Sequence, residues 1–317
     1  MLLKPPRLEF GDTVGIAAPA SPPGDPGVID RSVAALERLG FRARLAPHVR
    51  RRRGFLAGSD RERAGDLMQL FRDPKVKAII CLRGGYGAGR LLPLLDYAAI
   101  RSHPKIFVGY SDITALHCAL LARAGLVSFH GPTMNSDLVK EDLPEFTLRS
   151  LLRTVMEPTA PGGIKQGYGG HTVSVLRGGQ AEGRLVGGNL SLLCSLVGTP
   201  FLPDFRKRIL FLEDLAEPPY RFDRMLTHLL NAGLLPRVAG VAVGLNRHCH
   251  DPKARKAKEY RQTLEDVLRD RLLPLKVPVV AGLPFGHVRL NATLPVGVPA
   301  RLDGDAGDLS LLAPAVR

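Results

Sequence analysis

Two kinds of apolar pattern alternate along the chain. Short runs such as "VKAIICL" (residues 76–82), "KIFVGY" (105–110) and "RILFLED" (208–214) are apolar at most positions and rich in β-branched residues. Longer stretches carry apolar residues at helical spacing: "PGVIDRSVAALERLGF" (26–41), "SDRERAGDLMQLFRDP" (59–74) and "PYRFDRMLTHLLNAGLL" (219–235). The first kind predicts strands buried on both faces, and the second predicts helices that bury one face. Strands are also predicted in "DTVGIAAPA" (12–20), "LVSFHGPT" (126–133), "VAGVAVGL" (238–245) and "VPVVAGL" (277–283). "GAGRLLPLLDYAAIRSH" (87–103) reads as helical, and "TLPVGVPARLDGDAGDLSLL" (293–312) as a β-hairpin region.

Strands alternating with helices imply an α/β fold with a mostly parallel sheet. The rhythm breaks at "MEPTAPGGIKQGYGGHT" (156–172), where Pro and Gly cluster. The expected architecture has two domains: an N-terminal one over residues 1–155, with a parallel sheet flanked by helices and a nucleophile-elbow-like turn, then a linker over 156–175. A smaller α/β domain is expected over 176–317. A chain of 317 residues accommodates two such domains.

Composition narrows the picture. The chain is 45% hydrophobic and 23% charged, so it can bury a core. Cys81, Cys118, Cys194 and Cys249 are scattered, which suits free thiols in a reducing compartment. The first residues are interrupted by Lys4, two prolines, Glu9 and Asp12, unlike a signal peptide, and no stretch approaches a membrane span. A cytoplasmic protein without membrane partners is expected. The net charge of +14 raises a nucleic-acid reading, but the basic residues are mostly spread out. The dense clusters are "RRRR" (50–53) and "KARKAKEYR" (253–261). A solvated basic surface is the plainer reading, steering of an anionic substrate a second one. No nucleic-acid partner is expected.

Four motifs fall at predicted strand ends, where open α/β sheets gather their sites. In "IFVGYSDITALHCALL" (106–121), Ser111 occupies a strand-to-helix turn. Such a turn exposes a nucleophile, and the helix behind it favours an oxyanion. A helix cap by Ser111 or Asp112 explains the same residues. The signature G-x-S-x-G is incomplete, because residue 113 is isoleucine. "RGGYGAGR" (83–90) lets backbone approach a ligand closely, or simply turns tightly. It matches neither phosphate-loop pattern. "LFLEDLAEPPYRFDR" (210–224) brings Glu213 to the end of a strand, with Glu217 as a second acid in the loop. "GLPFGHVRLNATLPVG" (282–297) puts His287 after a glycine. Each residue alone has an ordinary structural explanation. Together, Ser, Glu, His and a Gly-rich loop form the parts list of a serine hydrolase. "NRHCHD" (246–251) places His248 and His250 two apart with no partner cluster, so no metal is expected.

These blocks, with "GGNLSLLCSLVGTP" (187–200) and "GDTVGIAAPASPP" (11–23), resemble the LD-carboxypeptidases, a family of serine peptidases, over nearly the whole chain. The resemblance implies a Ser-His-Glu triad of Ser111, His287 and Glu213 between the two domains. It implies an oxyanion hole from the backbone N–H groups of Gly85 and Asp112, and no cofactor. The implied substrate is a murein tetrapeptide that loses its terminal D-alanine at an L–D bond, in peptidoglycan recycling, by a protein that forms homodimers. Arg83, Tyr86, Arg221 and Asn189 are candidate substrate contacts. For the arginines, pairing with Asp214 or Asp223 is the structural alternative, and for Asn189 a helix cap. Two rivals remain. One is a microcin C immunity-type peptidase cleaving an acyl-adenylate amide, marked by an aromatic such as Tyr220 facing substrate. The other is a non-enzymatic two-lobed binding protein, in which Ser111, Glu213 and His287 would lie apart.

Overall fold

The computed structural model describes residues 2–170, 173–250 and 262–317. The basic run at 253–261 and the last residue of the 246–251 segment lie outside the described residues.

The first sheet starts with five parallel strands: β1 (Thr13–Ala17), β2 (Arg42–Leu45), β3 (Val76–Cys81), β4 (Ile106–Gly109) and β5 (Ser128–His130). The helices between them are α1 (Val28–Arg38), α2 (Asp60–Arg72), α3 (Tyr97–Ser102) and α4 (Thr114–Ala119). α2 starts at a capping box in which Ser59 and Glu62 satisfy each other's backbone N–H. The predicted helix over 87–103 is broken. Pro93 lies in a short 3-10 segment, Ala88–Leu94, and only Tyr97–Ser102 is α-helical.

After α5 (Glu145–Met156) the chain builds a second sheet from β6 (Gly162–Gly163), β7 (Ser174–Arg177), β8 (Gln180–Asn189), β9 (Arg208–Glu213), β10 (Gly240–Gly244) and β11 (Val279–Leu283). α6 (Leu190–Ser195), α7 (Pro219–Asn231) and α8 (Leu264–Leu272) cross between its strands. β8, β9, β10 and β11 are parallel neighbours. β12 (Leu294–Val296) leaves this sheet and pairs antiparallel with β5 in the first one. β13 (Pro299–Asp303) and β14 (Asp308–Leu311) form the predicted hairpin and return to the second sheet.

The protein is therefore a two-domain α/β fold. The second sheet has eight strands against six in the first. The Pro/Gly-rich segment adds to it: Gly162–Gly163 pairs with β14, and Ser174 opens β7. The strand order β12-β5-β4-β3-β1-β2 reverses between β1 and β3. Loops beyond the carboxyl ends of those strands form the crevice where such sheets bind ligands. Where the two sheets meet, the Asn189 N–H donates to Thr114 Oγ1 at 3.0 Å. A side chain at Gly188 would run into Thr114 at 2.5 Å, so only glycine allows this approach.

Candidate active site

β4 is buried throughout and delivers Ser111 to a sharp turn. Ser111 has φ +66, a left-handed conformation that costs a non-glycine residue on the order of 1–3 kcal/mol. Neither Ser111 nor Asp112 caps the helix that follows, since the turn and α4 both start without a side-chain cap bond. The turn forms despite isoleucine at position 113 because Gly109 clears the space. A Cβ on Gly109 would lie 2.9 Å from Ile113. A Cβ on Gly84 would lie 2.8 Å from Ser111 Cβ, so the neighbouring loop must also be glycine at that point.

Buried polar side chains hold this turn. His117, on α4, contacts the Gly109 carbonyl through Nε2 at 2.8 Å and Ser128 Oγ through Nδ1 at 2.9 Å. Burial pushes its pKa down to about 4, so it is neutral; Nε2–H donates to the carbonyl and Ser128 donates to Nδ1. The Gly131 N–H donates to the same carbonyl at 3.1 Å. Asp112 is buried and accepts the Ala88 N–H at 2.7 Å, which ties the turn to the end of the Gly-rich loop. Burial raises the Asp112 pKa to about 6, against the pull of that bond and of Arg63. Arg63 is fully buried and donates to the carbonyls of Pro19 and Gly87, joining the loops after β1 and β3. Ser21 adds a second stitch by accepting the Tyr86 N–H at 3.1 Å. Gly85 has φ +111, and its N–H has no acceptor among the described residues.

The other half of the site comes from the second sheet. Glu213 ends β9 with no exposure, and its Oε2 accepts the His287 Nδ1–H at 2.6 Å. That bond leaves Nε2 of His287 free to take a proton. Gly286, with φ +111, allows the approach, because a Cβ there would lie 2.9 Å from Glu213 Oε2. Burial lowers the pKa of His287, but the hydrogen bond and charge of Glu213, with Asp214 and Asp137, outweigh it and leave a net rise. The His287 loop is anchored to α5 and the segment before it. Thr147 Oγ1 donates to the Arg289 carbonyl at 2.8 Å, Ser150 Oγ accepts the Thr293 N–H at 2.9 Å, and Arg289 pairs with Asp142.

The halves meet at Tyr110, whose ring lies 5.0 Å from the His287 imidazole, edge-on. Ser111 is the next residue. Its Oγ makes no hydrogen bond among the described residues, so the serine–histidine link is not closed in this structure. A cavity of about 430 Å³ opens beside His287, lined by Tyr110, Asp137, Lys140, Leu215, Arg247 and Arg289 among others.

The chain belongs to the LD-carboxypeptidase family. Residues 14–131 match the model of the LD-carboxypeptidase N-terminal domain, and residues 182–302 that of the LD-carboxypeptidase C-terminal domain. A Bacillus subtilis relative described as "Probable murein peptide carboxypeptidase" is 41% identical, over 95% of this chain and 91% of that one. The muramoyltetrapeptide carboxypeptidase of Oxalobacter formigenes is 34% identical, with a TM-score of 0.81 over 94% of this chain and 97% of that chain. MccF in complex with glutamyl sulfamoyl guanosine has a TM-score of 0.89 at 25% identity, over 99% of this chain and 100% of that chain. The protein is a serine-type peptidase by family.

The candidate substrate contacts of this LD-carboxypeptidase family member separate clearly. Arg83 is half-buried, donates to the Pro22 carbonyl at 3.3 Å, and has no carboxylate within 4.0 Å among the described residues. It is thus free to meet an anionic ligand. Arg221 pairs with Glu217 at 3.3 Å, not with Asp214 or Asp223. Asp223 is taken by Arg271, and Asp214 accepts from Asn189 and Ser191. Asn189 is held by scaffold contacts: Oδ1 caps α6 and Nδ2 donates to Asp214. Tyr86 is exposed and packs against Phe55 at 5.5 Å. Tyr220 is exposed under the Arg224 guanidinium and does not line the cavity beside His287. Among the described residues no group of three or more possible metal ligands occurs, and no helix is long and apolar enough to cross a membrane.

Proposed function

We propose that this peptidase releases the terminal D-alanine of a murein tetrapeptide at an L–D bond, with Ser111, His287 and Glu213 as the triad. The observation that carries the reading is the buried Glu213 carboxylate bonded to His287, beside a serine held at φ +66. His287 takes the Ser111 proton through Nε2 as Oγ attacks the amide carbonyl. Glu213 fixes the tautomer and stabilises the imidazolium. The Gly85 and Asp112 N–H groups receive the oxyanion, each worth roughly 3–4 kcal/mol by analogy with other oxyanion holes. D-alanine leaves with the proton from His287, and water then hydrolyses the acyl-enzyme. Arg83 meets the terminal carboxylate of the substrate. The reading includes a cytoplasmic place in peptidoglycan recycling and a homodimer.

A second reading, cleavage of an acyl-adenylate-type amide, draws on the likeness to MccF. Side-by-side assay of a murein tetrapeptide and an aminoacyl sulfamoyl adenosine separates the two. D-alanine release with the nucleotide left intact supports the first, and the reverse supports the second.

A further inference from the structure

Another cavity opens at the far end of the second sheet from His287. Arg208 starts β9 and Glu213 ends it, so a rise of roughly 3.3 Å per residue sets the two about 16 Å apart. This cavity, of about 470 Å³, is lined by Leu2 and Leu121 from the first domain and by Arg184, Leu202, Asp204 and Arg208 from the second, among others. Arg184 and Arg208 are direct neighbours in the parallel register of β8 and β9, and like charges so placed repel. Neither guanidinium has a carboxylate within 4.0 Å among the described residues. Arg184 reaches the Gly297 carbonyl at 3.4 Å, and the half-buried Arg208 side chain makes no hydrogen bond among the described residues. The acid in the lining, Asp204, is turned to Arg206, whose guanidinium lies 3.8 Å away and whose N–H it accepts at 3.0 Å. Burial pulls the Arg208 pKa down; Asp204 opposes that and Arg184 adds to it. A half-buried cation beside a second one is costly until an anion joins them.

We propose that this cavity is a phosphate-binding site, in which Arg184 and Arg208 hold one phosphate group between the two domains. Two guanidinium groups without counter-ions match the charge of a phosphate monoester, roughly −1.5 to −2 at neutral pH. Their forked N–H groups fit its oxygens in pairs. A lone carboxylate would leave one of the two cations unpaired. The apolar wall of Leu2, Leu121 and Leu202 leaves room for an organic group on the phosphate. The site does not depend on the peptidase reading, because both arginines lie at the end of the sheet away from Glu213 and His287.

Titration calorimetry of the intact chain in chloride buffer tests this, with inorganic phosphate and phenyl phosphate as the two probes. The wild-type protein is expected to bind phosphate at one site, with Kd on the order of 1 mM or below, and R184Q and R208Q are each expected to weaken it about tenfold or more. Both probes carry the same phosphate chemistry, and their ratio tells its source. Tighter binding of phenyl phosphate supports the site with an organic phosphate as occupant, and equal binding supports it with free phosphate. No saturable binding of either probe overturns the proposal. Equal binding by the wild type and the R184Q/R208Q double variant also overturns it, because that marks general attraction to a basic surface. Thermal unfolding adds a readout that a merely structural arginine would not give. Since the two guanidinium groups repel, R208Q without phosphate is expected to match or exceed the wild-type Tm, and phosphate is expected to raise the Tm of the wild type alone. A lower Tm in R208Q, with no phosphate response in the wild type, assigns Arg208 to the scaffold and overturns the site.

Discussion

The serine half and the histidine half of the site are held by different physics. On the first sheet, Ser111 is placed by backbone shape. Gly84, Gly85 and Gly109 clear space, and the neutral His117 fixes the Gly109 carbonyl. On the second sheet, His287 is placed by charge, through a 2.6 Å contact with a carboxylate shut away from water. A shape-held group tolerates changes of pH and salt. A charge-held group changes with both, though burial shields Glu213 from screening. The comparison therefore assigns the pH response of the base to the histidine half, while Asp112, its pKa raised to about 6 by burial, is the titrating anchor of the serine half.

The largest effect is expected on the charged side. E213Q retains the shape but removes the carboxylate charge, so kcat falls about 10³–10⁴-fold. The base must be neutral, so kcat/KM rises with pH through the pKa of His287. That pKa stands above the usual 6.5, with Glu213 as its largest raising influence. In E213Q the midpoint of the residual activity moves to lower pH, and a pH–rate profile reads this directly. An unchanged midpoint breaks the assignment of charge to this half.

A smaller effect is expected where Asp112 ties the turn to the Gly-rich loop. D112A leaves the Ala88 N–H unpaired, so stability falls by about 1–3 kcal/mol in denaturant titration. The kcat falls by roughly tenfold, because the loop that presents Gly85 loses its anchor. The smallest effect on stability is expected for S111G. Glycine relieves the left-handed strain at φ +66 and raises stability by about 1 kcal/mol, seen as a higher Tm, while activity is lost. A lower Tm breaks the claim that shape holds this half.

The shape-held half is the more legible in sequence. A buried run, a serine and clustered glycines are local signals, and the structure puts Ser111 on a turn after a buried strand as that pattern predicts. The charge-held half is not local. Glu213 and His287 lie 74 residues apart, so their contact follows from the parallel packing of β9, β10 and β11 and from no short motif. The broken helix was legible in Pro93 but outweighed by the apolar spacing around it. Arg63 and Asp137 gave no sequence signal, because a polar residue in a helix or turn reads as solvent-facing until tertiary packing buries it. Asn189 carried the cap signal, a polar residue just before an apolar helical run, and that is the role its geometry shows.

The most direct test of the two-half account is D-alanine release from a murein tetrapeptide by wild type and S111A. The account predicts release by the wild type and a loss of at least about 10³-fold in a folded S111A protein. Equal release by both proteins would contradict it, since the proton acceptor at His287 would then be serving a nucleophile other than Ser111.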